Sequence, residues 1–197
     1  MRRNIHLENG QQIELNVDTL PTIQLSELLS SKHMQSAQFL GEGSNAVVIK
    51  IGELAVKVGF QFGLDEKTAR LIAGIAYPNK IGPKARVRKA LSGKLKQLTS
   101  FEKQVQAHIN GNAVRPDLVD SQNVSLLISN GIACGMTLPV YTGTFVSIAN
   151  RQFGFTSKDR ADLESAGVLV DDFQHRKNGV ILTDGSRRIF DLTLKSR

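Results

Sequence analysis

At 197 residues, 41% of them hydrophobic and 22% charged, the chain suits one globular domain, or one domain in two small lobes, with a core that needs no covalent staple. A single cysteine, Cys134, excludes an internal disulfide, four scattered histidines give no zinc spacing, and no apolar run has the length of a membrane span or of a signal peptide, so a reducing cytoplasmic setting without a membrane partner is expected. The formal net charge of +7 is local, because nine of the 25 lysines and arginines lie within 67–101, a stretch without any acid.

Residues 4–17 alternate around Asn9-Gly10, a strong hairpin signal, and 22–31 have the spacing of a short amphipathic helix. Together they read as an N-terminal addition, 1–36. Residues 38–58 then read as strand, glycine-rich bend, strand, tight turn at Gly52-Glu53 and return strand. Gly41 and Gly43 lack Cβ, so their backbone can approach a ligand and aim N–H groups at it. Lys57 lies in the return strand between apolar neighbours, either as an exposed strand residue or as a point charge for an anion over the sheet.

A helix is expected over 68–76, with Asp65 and Glu66 at its N-terminus. The basic stretch 67–101 follows, either a solvated loop and helix or a docking surface for an acidic protein or nucleic acid. Thr99-Ser-Phe-Glu102 opens a helix expected to end at Asn110-Gly111-Asn112, and Thr99 with Glu102 forms a capping box. Residues 124–128 read as a buried strand. The run 140–155 has no clear pattern. Thr156-Ser-Lys-Asp159 is a second capping box, opening a helix that ends at Gly167. A short strand at 168–170 precedes two strands, 179–183 and 188–190, joined by the hairpin signal Asp184-Gly185. Asn178 and Asp191 then fall on adjacent strands near one end, where their oxygens suit a hard cation such as Mg²⁺.

Gly41-Glu-Gly43-Ser44-Asn-Ala-Val-Val48 followed by Leu54-Ala55-Val-Lys57 resembles the nucleotide-clasping part of protein kinases, which pair a Gly-rich loop with a lysine in a Val-Ala-Ile-Lys strand. Ala46 stands where the family has a third glycine. Asp172, Asn178 and Asp191 resemble the family's catalytic loop, His-Arg-Asp-Leu-x-x-x-Asn, and the metal-binding aspartate that follows it. Asn178 and Asp191 are thirteen positions apart, as in the family. The chain departs in carrying Val170 and Asp171 for the histidine and arginine, one extra residue before Asn178, and Leu192-Thr193 after Asp191.

The resemblance implies an α+β, bilobal, kinase-like fold. An antiparallel N-lobe sheet with helices spans 37–131, with 67–101 as a basic insertion, and a truncated, mainly helical C-lobe with a catalytic hairpin spans 132–197. It implies ATP and Mg²⁺ as cofactors and a protein hydroxyl as substrate. Lys57 would hold phosphate oxygens and Glu102, with Glu66 as competitor, would orient it. Asp172, with Asp171 as fallback, would take the hydroxyl proton, and Asn178 and Asp191 would hold the metal. Gly41, Gly43, Ser44, Val48 and Ala55 would line the nucleotide site, and 129–132 would be the lobe hinge, with Asn130 and Ile132 at the adenine edge. The sequence ends six residues after Asp191, which implies a stripped-down core of the kind used by bacterial effectors, toxins or phage host-modifying proteins. Two other readings keep many of these residues: a non-catalytic binding module with a basic docking face, and a kinase-fold small-molecule phosphotransferase or nucleotidyltransferase.

Overall fold

The computed structural model describes residues 2–6, 12–16, 19–30, 32–42, 46–59, 64, 66–76, 101–170 and 178–194. The fold is α+β, and among the described residues it has eleven strands, four α-helices and one 3-10 helix, Lys32–Ser36. Contacts divide the chain into two compact units: Pro21–Phe101 with Ser125–Val140, and Met1–Leu20 with Glu102–Val124 and Tyr141–Arg197.

The first unit is a six-stranded sheet on two helices. Its strands are β3 (Thr22–Gln24), β4 (Gln38–Glu42), β5 (Ala46–Ile51), β6 (Leu54–Gly59), β7 (Ser125–Ser129) and β8 (Ile132–Pro139), in the order β3-β7-β8-β6-β5-β4. The runs of valine and isoleucine in β5 and β6 favour this pleated geometry. Val47, Ile49, Ile51, Val56 and Val58 are at most 3% exposed and face helices α1 (Leu25–Ser30) and α2 (Glu66–Ala76) through Leu25, Ile72 and Ala76. Alternation puts Val48, Ala55 and Lys57 on the other face.

Two expectations change here. The sheet is mixed rather than antiparallel, because β3 pairs in parallel with β7, with Ile23 opposite Leu127. The expected N-terminal addition 1–36 is therefore divided, its second part belonging to the sheet and its core.

The second unit holds the β1 (Arg2–His6) and β2 (Gln12–Asn16) hairpin, in which Ile5 opposes Ile13. It also holds α3 (Phe101–Val114) apart from Phe101, α4 (Ser157–Ser165), and a sheet of β9 (Gly143–Val146), β10 (Gly179–Leu182) and β11 (Arg187–Ile189) in the order β11-β10-β9. Its core gathers Leu118, Val119, Ile148, Phe153, Leu163, Ile189 and Leu192, all at most 1% exposed. Among its described residues, two helices and five strands make this unit mixed, not the mainly helical lobe expected.

Helix α3 also outruns its expected end at 110–112. Asn110 donates to the Ala166 carbonyl at 3.1 Å and Asn112 to the Val119 carbonyl at 2.6 Å, so both side chains are anchored by tertiary contacts and do not break the helix. Gly111 packs where Val119 and Leu163 leave little room for a side chain. The second capping box holds as expected: Thr156 Oγ1 accepts from Asp159 N at 3.1 Å and Asp159 accepts from Thr156 N at 2.8 Å. The first box includes Thr99, which lies outside the described residues. No helix among the described residues is long and apolar enough to cross a membrane.

Candidate functional site

On the first unit, strand register aligns the candidate residues into one row. Gly41 opposes Val48, Val48 opposes Lys57, Lys57 opposes Met136, and Met136 opposes Leu126. Directly opposed residues share a face, so Gly41, Val48 and Lys57 stand side by side on the face away from α1 and α2. Ala55, two residues before Lys57, is on the same face, opposite Leu138. Val48 and Lys57 are half-buried, and Met136 is fully buried. By register the lysine therefore has apolar residues on both sides along the row. A side chain added at Gly41 would meet nothing within 4 Å, so the strand is open to an approaching ligand at this point. Gly43 and Ser44 lie outside the described residues.

Phe101, the first residue of α3, packs on the end of the lysine strand. A Cβ at Gly59 would come within 2.8 Å of its ring. Glu102 is the next residue and is half-buried. Glu66, its competitor, is the first residue of α2.

Residues 129–132 are not a hinge. Asn130 and Gly131 have φ of 51° and 75°, the left-handed pair of a tight hairpin turn between β7 and β8, with Ser129 opposite Ile132. Asn130 and Ile132 thus stand exposed at a hairpin tip. The chain leaves the first unit between Val140 and Tyr141 instead.

In the second unit the β10–β11 hairpin brings Asn178 and Asp191 to one end. Gly179 opposes Ile189, and Phe190 N donates to the Asn178 carbonyl at 3.0 Å. Asn178 is 8% exposed, and Asp191 is half-buried with φ of 61°, unusual for a residue with a side chain. The segment is held on both sides. Ile189 N donates to the Leu118 carbonyl at 2.7 Å, and Leu194 bridges to Val168. Asp171 and Asp172 lie outside the described residues, as does 77–100 of the basic stretch. Its described members Lys67 and Arg70 are exposed on α2.

One cluster beside Asp191 has no signal in the sequence. Asp120 Oδ2 accepts from both Tyr141 Oη and Arg188 Nε, each at 3.1 Å. Burial, aided by the Asp120 carboxylate, pushes the Tyr141 phenol well above its ordinary range. The Tyr141 and Phe145 rings flank Phe190, with centroids 6.1 and 5.7 Å away. These residues join a turn, the crossing between units and β11, and no local spacing announces such a meeting.

An asparagine and an aspartate offer the hard oxygens that Mg²⁺ takes, and Mg²⁺ bound with a nucleotide needs only one or two protein carboxylates because phosphates and waters fill its shell. The donor set fits. Compared with protein-family models, with curated proteins and with solved structures, the chain finds no match in any of the three.

Proposed function

We propose that this protein binds ATP with Mg²⁺ and transfers the γ-phosphoryl group to a hydroxyl of another protein. The reading is carried by Asn178 and Asp191, two oxygen-bearing side chains at the end of one hairpin, the second in a left-handed conformation that a fold keeps only where its surroundings impose it. The row Gly41, Val48 and Lys57 supports it independently.

Roles follow from side-chain chemistry. Gly41 lets the triphosphate approach the backbone, and Val48 and Ala55 give the base an apolar surface. The Lys57 ammonium holds phosphate oxygens, and Glu102 orients that ammonium. Asn178 and Asp191 hold the metal. Mg²⁺ bound with the nucleotide supplies charge neutralisation at the transferred group. Asp172 takes the proton of the acceptor hydroxyl, whose oxygen forms the new bond to phosphorus as the bond to the ADP oxygen breaks. Non-catalytic nucleotide binding is the second reading, favoured by Val170-Asp171 in place of His-Arg.

Incubation with γ-labelled ATP, Mg²⁺ and a mixed protein substrate tests the reading. Label should appear on protein and fall at least a hundredfold with Asp191→Asn, the scale on which electrostatic groups act at a reacting centre. Label arriving only from α-labelled ATP would mean nucleotidyl transfer, and retention of the biological effect by a variant that transfers nothing would mean a binding module.

A further inference from the structure

Asp191 stands between two fastened segments. After it, Leu192 is fully buried, Leu169 N donates to the Thr193 carbonyl at 2.8 Å, and Leu194 bridges to Val168. Before it, residues 188–190 are tied to the turn that follows α3. Ile189 N donates to the Leu118 carbonyl at 2.7 Å, Arg188 Nη1 to the Asp117 carbonyl at 2.8 Å, and Arg188 Nε to Asp120 Oδ2 at 3.1 Å. The turn is itself held in place. Asn112 Nδ2 donates to the Val119 carbonyl at 2.6 Å, and His108 Nδ1 donates to the Asp120 carbonyl at 3.1 Å.

We propose that Asp120 and Tyr141 are positioning residues for Asp191. Through Arg188 and Phe190 they hold it in the one backbone conformation from which it ligates a metal ion. The proposal rests on the reading that Asn178 and Asp191 hold Mg²⁺ with a nucleotide, and it assigns the more distant groups that set the metal affinity of that site.

Tyr141 joins the parts. Its hydroxyl donates to Asp120 Oδ2 at 3.1 Å, and its ring centroid lies 6.1 Å from that of Phe190. Arg188 and Phe190 are two positions apart, so the alternation of β11 gives them one face, opposite to the fully buried Ile189. One carboxylate oxygen thus gathers the guanidinium from this face and the tyrosine that packs beside it. Phe145 meets the Phe190 ring edge-on at 5.7 Å. Phe190 directly precedes Asp191, whose φ is 61°. Releasing that φ must either turn the chain away from a ring packed by two others or break the bonds at 188–190.

The Asp120 and Arg188 side chains are 27% and 22% exposed, a setting in which an ion pair adds little to folding stability. A conservative change at Asp120 therefore leaves the unit folded and acts on the placement of its neighbours. Groups that orient metal ligands in this way are worth about 10–100-fold in metal affinity.

Electron paramagnetic resonance of Mn²⁺, titrated into the full chain with a non-hydrolysable ATP analogue, tests this. Mn²⁺ takes the same oxygen ligands as Mg²⁺, and its spectrum reports the symmetry of its site. The wild type should bind one Mn²⁺, and Asp191→Asn should weaken it most. Asp120→Asn should weaken it about tenfold. Tyr141→Phe, which keeps the ring and removes only the hydroxyl, should weaken it less. Both should alter the spectrum of the ion that still binds, with circular dichroism showing a folded chain. Wild-type affinity and spectrum in both variants overturn the inference and leave the parent reading standing. So does a weakening that vanishes when binding is expressed per folded molecule, because the cluster then serves stability alone. A wild type that binds no Mn²⁺, or Mn²⁺ that Asp191→Asn leaves undisturbed, refutes the parent reading and this inference with it.

Discussion

Asp191 sits in a left-handed conformation that costs a residue with a Cβ about 1–2 kcal/mol. Its neighbours impose it: Ile189 and Leu192 are fully buried, and Phe190 is held by a backbone bond to Asn178 and by two aromatic rings. Strain of this kind gathers where a side chain must point one way. Comparing two variants separates the strain from the carboxylate. Asp191→Gly should be about 1 kcal/mol more stable than Asp191→Ala in urea denaturation, since glycine accepts positive φ and alanine does not. Equal stabilities would mean the backbone is not strained here. Asn178 and Asp191 were legible as partners because Asp184-Gly185 marks the hairpin centre and counting outwards fixes the pairing. The Asp120, Tyr141 and Arg188 cluster was not, because Arg188 and Asp120 meet across 68 positions of chain.

At the scale of elements, Lys57 is placed by β6, and β6 is placed by β8. A Cβ at Gly135 would stand 2.2 Å from the Lys57 carbonyl oxygen, so the two strands approach there as only glycine allows. Gly135→Ala should destabilise the protein by on the order of 3 kcal/mol or more, read as a lower urea midpoint, because the obstacle is backbone and not a side chain that can move away. A midpoint unchanged by this substitution would contradict the β6–β8 pairing. The hairpins were readable from β-branched runs and Asn-Gly or Asp-Gly turns. Strand β3 was not, being three residues long at a parallel edge with a single apolar side chain, Ile23, between two exposed ones. The 129–132 segment reads as a linker because a polar pair between apolar strands fits either a hinge or a hairpin. Positive φ at Asn130 and Gly131 decides for the hairpin.

For the whole molecule, the candidate residues divide between two compact units, Lys57 in one and Asp191 in the other. The basic excess that stood out in the sequence belongs mainly to neither set of candidate residues, and two of its nine charges lie on the exposed side of α2. Binding of ATP with Mg²⁺ is the central proposal. Calorimetric titration of the full chain with a non-hydrolysable ATP analogue and Mg²⁺ tests it most directly. The expected result is one site per chain whose Kd weakens at least tenfold with Lys57→Ala and, in the presence of Mg²⁺, at least tenfold with Asp191→Asn, each about 1.4 kcal/mol or more. Absence of heat at saturating analogue, or binding that neither substitution changes, would contradict it.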